Sequence, residues 1–315
     1  MVKTGAARCW LGGVLLSGIV GCASLPVPRI DGSALAPHVE LSSVAFFPQE
    51  DHQCGPAALA TVLNAAGAAV TPEALAAQVY LPARQGSLQL ELLAATRRHA
   101  RVPYVLEPKL DAVLHEVAGG NAVLVLQNLG LSWLPVWHYA VVVGFDLAQR
   151  ELVLRSGREP RAVVDLAAFE RSWALAQHWA LVITPLEQVP ATADETRYLN
   201  AVAQLEAQQQ FAPAARAYAA ASARWPGNVA ARFGLGNSRY GLGEFAQAEQ
   251  VYRELLAQQP GLGAAWNNLA MSLIEQQRWG DAREAAQHAV DLGGASEAAA
   301  RDTLNEIDAR ASAGR

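Results

Sequence analysis

From Cys54 onward the spacing of apolar positions changes twice along the chain. Leu59, Val62 and Leu63 recur at helical spacing and Gly67 stops the run, so a helix is expected over 54–66. The same periodicity predicts helices over 72–80, 87–99 and 108–118. The pattern then tightens into apolar runs at 122–128, 138–146, 151–155 and 179–184, which read as strands. The last third returns to helical spacing and repeats itself. At an offset of 34, Phe211 aligns with Phe245 and Trp279, Ala214 with Ala248 and Ala282, and Pro226 with Pro260. The units run over 195–228, 229–262 and 263–294, and 296–310 reads as a helix capping the last of them.

The head of the chain has a different character. Lys3 and Arg8 precede an apolar block from Cys9 to Val20, too short to span a bilayer and long enough for the core of an export signal. The block ends in Ile19, Val20, Gly21 and Cys22, which resembles the lipobox of bacterial lipoproteins. That resemblance implies cleavage after residue 21, lipid on Cys22 and, because Ala23 is not Asp, an outer-membrane lipoprotein facing the periplasm. Pro26, Pro28, Gly32 and Pro37 make 22–39 a tether, and 187–194 is expected to link the two halves of the body.

A length of 315 residues allows about two domains, and 52% hydrophobic residues exclude a disordered chain. A net charge of -5 with two lysines, Lys3 and Lys109, leaves no cationic face for phosphates, so nucleic acid is not an expected partner. No cofactor is expected, and a GKS or GKT phosphate loop is absent.

The three cysteines are Cys9, Cys22 and Cys54, and only Cys54 remains once the signal and the lipid site are set aside. It opens the first predicted helix, where unpaired N–H groups and the positive end of the dipole favour a thiolate. Gly55 there would let a substrate backbone approach, and Pro56 fits a first helical turn.

The stretch QEDHQCGPAAL, followed some 80 residues later by WHYAVVVGFD, resembles the C39-type cysteine peptidases. The resemblance covers residues 40–186 and implies an α+β papain-like fold, with Cys54 as nucleophile, His138 as general base and Gln49 as oxyanion donor. Gln53 is the rival donor, while His52 and His178 are rival bases. The family commonly places Asp-Pro after the strand that follows the histidine; Ser156 and Gly157 stand there in this chain, with Glu159 nearby. Asp146, eight residues along one strand from His138, lies about 26 Å away at 3.3 Å per residue and cannot orient the imidazole.

The 34-residue units resemble tetratricopeptide repeats, which implies an all-α solenoid over 195–310 whose concave face takes a protein or peptide partner, with Asn237 and Asn267 as candidates for that face. The reading is a cysteine peptidase that processes a peptide recruited by the repeats, with amidase and acyl-transferase chemistry left open. The alternative is an envelope scaffold whose peptidase-like domain has lost its chemistry.

Overall fold

A computed structural model describes residues 35–49 and 53–313. The export signal, Cys22 and His52 lie outside the described residues. No described helix is long and apolar enough to cross a membrane.

The first half is an antiparallel sheet with helices on both faces. Its strands are β1 (His38–Glu40), β2 (Tyr104–Val105), β3 (Val123–Asn128), β4 (Trp137–Asp146), β5 (Glu151–Ser156), β6 (Glu159–Asp165) and β7 (Ala180–Val182). They run β2-β7-β3-β4-β5-β6, with β1 also on β4. Alternation along the strands sorts the side chains. Val123, Val125, Ala140 and Val142 face the helices α4 (Leu110–Ala118) and α5 (Leu166–Ala174). Leu124, Leu126, Tyr139 and Val141 face α1 (Cys54–Ala65), α2 (Pro72–Val79) and α3 (Gln89–Arg98). Most of α1 is buried, from Gly55 through Leu63, which explains its almost wholly apolar sequence.

The predicted helices and long strands all form. β1, β2, β6 and α5 were not foreseen, because two are very short and the other two mix polar with apolar residues. β1 is a correction to the tether: the last residues of that stretch enter the sheet, where Val39 pairs with Phe145.

The second half is an array of paired helices: α6 (Glu195–Ala207), α7 (Phe211–Arg224), α8 (Val229–Gly241), α9 (Phe245–Gln258), α10 (Gly263–Glu275), α11 (Trp279–Leu292) and the cap α12 (Glu297–Ala313). Small residues let aromatic rings close the interfaces. A Cβ on Gly234 would stand 2.3 Å from the Tyr218 ring, and one on Gly236 2.6 Å from that of Tyr252.

The two asparagines expected on an open binding face are used inside the array. Asn267 is buried and accepts from the Thr303 hydroxyl; Asn237 donates to Glu206 and accepts from Tyr252 and Asn268. Their amides satisfy neighbouring polar groups between helices, so they are structural.

The expected linker is pinned. The buried Glu116 carboxylate accepts from Thr192 N–H, the Thr192 hydroxyl, Ala191 N–H and the Asn121 amide. Asp194 caps α6 while its own N–H donates to the Tyr104 hydroxyl, and the Tyr104 and Tyr198 rings pack with centroids 6.2 Å apart. A single apolar cluster therefore runs from the sheet into the first repeat.

Candidate active site

The site stands on the open edge at the start of β4. On one side β4 pairs with β3 back to Trp137↔Asn128; on the other it pairs with β5 only as far as Val141↔Arg155. The N–H of Leu126, opposite Tyr139, is taken by Trp179 of the β7 side, so the in-plane groups of Tyr139 point toward the missing part of β5. Both face candidate site residues. The Tyr139 carbonyl accepts from Gln49 Nε2 at 3.3 Å, and the Tyr139 N–H is among the backbone groups that favour the Cys54 thiolate.

Cys54 is the first residue of α1 and is half-buried. Backbone N–H groups of Tyr139, Gly55 and Cys54 itself favour its thiolate, but burial outweighs them and pushes the thiol up from its ordinary value. This corrects the expectation from the helix terminus alone, which left desolvation out. The space beside Gly55 is also not free for substrate, since a Cβ there would lie 2.4 Å from Ser87 Oγ. Ser87 is held by its carbonyl, which accepts from the Tyr139 hydroxyl at 3.2 Å.

His138 precedes Tyr139, and its Nε2 lies 2.8 Å from Ser156 Oγ at the end of β5. Folding of the β4–β5 hairpin thus brings Ser156 to the ring, whereas Glu159 is exposed on β6. Asp146 is at the far end of β4, 3.5 Å from His38. Burial pushes the His138 imidazole down, which favours the neutral ring, and among the described residues no carboxylate offsets the shift.

Gln49 is buried and doubly fixed: its side chain is on Tyr139, and its own N–H donates to the Gly157 carbonyl at 2.9 Å. Gly157 sits at φ +59 in the Ser156–Glu159 turn, a conformation suited to glycine. Gln53, the rival donor, is the half-buried residue before α1 and makes no side-chain cap. His178 is 2.8 Å from Glu170 and edge-on to Trp173, so it serves the turn after α5.

Two supporting residues escaped the sequence reading. Tyr139 supplies the backbone shelf, a role no side-chain pattern can signal. Arg155 is buried and donates to the carbonyls of Val44, Ser42 and Pro160, fixing the segment that leads to Gln49. A lone cation in the apolar run LVLRS was the available signal. Among the described residues no group of side chains could hold a metal ion.

Residues 41–180 match the family model described as the Peptidase_C39 like family, and 198–262 and 235–300 match the tetratricopeptide repeat. No curated protein matches the chain. Solved structures are similar only distantly. A protein described as a C39-like peptidase from Bacillus anthracis is 18% identical, with 47% of this chain and 98% of that one covered and a TM-score of 0.40. The peptidase domain of Streptococcus ComA, a bi-functional ABC transporter in quorum sensing, is 19% identical, with 45% and 98% covered and a TM-score of 0.37. MamA from Desulfovibrio magneticus is 18% identical, with 38% and 67% covered and a TM-score of 0.35. The chain thus joins a C39-like peptidase domain to an array of tetratricopeptide repeats.

Proposed function

We propose that the chain is a cysteine peptidase in which Cys54 attacks a peptide carbonyl, His138 carries the proton and Gln49 steadies the oxyanion. The observation that carries this reading is the convergence on Tyr139. Its N–H favours the Cys54 thiolate, its carbonyl holds Gln49, and its neighbour in sequence is His138. Ser156 engages His138 Nε2, leaving Nδ1 to receive the thiol proton. With the thiol pushed up and the imidazole pushed down by burial, the resting pair is thiol and neutral imidazole. The thiol proton then passes to His138 as sulfur attacks, and from there to the leaving amine, which gives an acyl-enzyme that water hydrolyses. One N–H of the Gln49 amide is committed to Tyr139, and the other would donate to the tetrahedral oxygen.

The repeats are proposed to recruit a protein or peptide partner. Export and lipid attachment at Cys22 rest on the sequence alone; Cys22→Ser is expected to move the protein from the membrane fraction to the soluble one.

A second reading, a non-catalytic scaffold, draws on the hydroxyl of Ser156 where a carboxylate would help most. One experiment separates the two. The rate of iodoacetamide alkylation of Cys54 is measured in the full chain and in His138→Ala. A rate that falls in the variant shows that His138 assists the thiol and supports the peptidase, and the same rate in both supports the scaffold.

A further inference from the structure

Past the end of the sheet the β3–β4 hairpin continues as a two-stranded arm. Beyond the pair of Asn128 with Trp137, the Leu129 N–H donates to the Val136 carbonyl and Leu131 bridges Leu134, which leaves Ser132 and Trp133 at the tip. Among the described residues twelve large hydrophobic side chains are exposed, and six of them fall within the nine positions from Leu129 to Trp137. Each of the six is more than half exposed, Trp133 the most at 76%. No charged residue stands among the nine. Exposed apolar side chains scattered singly are ordinary, whereas a contiguous set marks a contact surface.

Strand alternation decides what kind of contact this is. Leu129, Leu131, Leu134 and Val136 have the parity of Gln127 and His138, but Trp137 has that of Tyr139 and stands on the opposite face, with Trp133 at the end. The arm is therefore apolar on both faces and at its tip. A peptide or a second copy lying along one face would leave the other in water, while an acyl layer entered tip first surrounds every side alike. The backbone suits the same medium. Leu131 and Leu134 each donate an N–H to the other's carbonyl, the N–H groups of Gly130 and Val136 both donate to Asn128 Oδ1, and Pro135 has no N–H to satisfy. In hydrocarbon a bare donor finds no water, whereas a peptide adding as a strand would need such donors free.

We propose that the arm from Leu129 to Trp137 inserts tip first into the boundary between headgroups and acyl chains of a lipid bilayer. Its two tryptophans are the residue type that settles in that layer. With no cation on the arm, attraction to anionic headgroups plays no part, so a neutral bilayer serves. The tip lies five residues from His138, about 16 Å at 3.3 Å per residue, and an arm buried by about 5–10 Å holds the start of β4 just clear of the membrane surface. Nothing in this depends on the chemistry at Cys54.

The test reads the tip locally in the full chain. Cys9→Ser, Cys22→Ser, Cys54→Ala and Ser132→Cys leave one thiol, which carries an environment-sensitive nitrobenzoxadiazole fluorophore. With phosphatidylcholine vesicles its emission is expected to shift to the blue and to be quenched by nitroxide-labelled acyl chains. Leu131→Ser with Leu134→Ser is expected to raise the lipid concentration at half-shift by at least about tenfold. Leu90→Ser with Leu242→Ser, exposed elsewhere on the molecule, is expected to leave it unchanged. Vesicles that carry the chain while the probe stays in water, as attachment through residues 9–20 alone would give, overturn the proposal. So does a blue shift that appears without lipid and grows with protein concentration, which would make the arm a contact between copies. A shift produced by a peptide alternating leucine with glycine, and not by vesicles, overturns it in favour of a peptide site.

Discussion

The two halves of the molecule solve the same packing problem in opposite ways. In the repeat array each interface is made by close neighbours in sequence and is made again one period later: Tyr218 closes on Gly234, and Tyr252 on Gly236. The site in the sheet domain has no such redundancy. Gln49 reaches Tyr139 across 90 residues and His138 reaches Ser156 across 18, so four separate segments meet at one strand edge. A slip of one residue in β4 would turn His138 to the opposite face. Local construction tolerates a local error; construction by register does not.

Substitutions at the meeting point should therefore have the largest effect. Cys54→Ala and His138→Ala are each expected to lower hydrolysis of a synthetic peptide library by about a thousandfold or more, read by mass spectrometry of the products. Retention of cleavage by either variant would place the chemistry elsewhere.

Next comes the seam between the halves. Glu116 is fully buried, and its carboxylate holds both the α4 end and the segment before α6. Glu116→Ala leaves the N–H groups of Ala191 and Thr192 without their acceptor and is expected to cost about 3 kcal/mol. Calorimetry should then show the array and the sheet domain melting separately. A single unshifted transition would mean that the apolar cluster around Tyr104 and Tyr198 suffices to join them.

Within the array, Gly236→Leu forces a side chain into the Tyr252 ring and is expected to destabilise the fold by about 1–3 kcal/mol, seen as a lowered melting temperature. Gly55→Ala is the matching change in the other half, since its Cβ meets Ser87 at 2.4 Å. There the same crowding displaces the start of α1, so Cys54 alkylation should change along with stability. If alkylation does not change, the site is less dependent on its frame than the hydrogen bonds imply.

The same contrast sets what could be read beforehand. The offset of 34 marked out the repeats, and Phe211, Phe245 and Trp279 each begin a helix. In the sheet domain Cys54 stood out as the one thiol left after the signal and the lipid site, and His138 and Gln49 through the resemblance to C39-type peptidases. The pairing that brings Ser156 to His138 was readable only by folding the hairpin on paper. The role of Tyr139 was not readable, since it is performed by backbone groups whose direction depends on the partner strand. The ionisation of Cys54 was misjudged for a related reason. A helix terminus is visible in sequence, but the burial that outweighs it is a property of the assembled domain.

The smallest of these expected effects bears on the chemistry most directly. Ser156 supplies a hydroxyl where a carboxylate would stabilise the imidazolium. Ser156→Asp should raise the His138 pKa against the lowering caused by burial, and so hold more of the pair as imidazolium and thiolate below neutral pH. Alkylation of Cys54 at pH 6 should then quicken by about tenfold, the equivalent of one pKa unit. Ser156→Asn keeps a hydrogen bond without the charge and should stay near the native rate, while Ser156→Ala should be slower than both. Equal rates for Asp and Asn would show that orientation of the ring, and not its charge, limits the thiol.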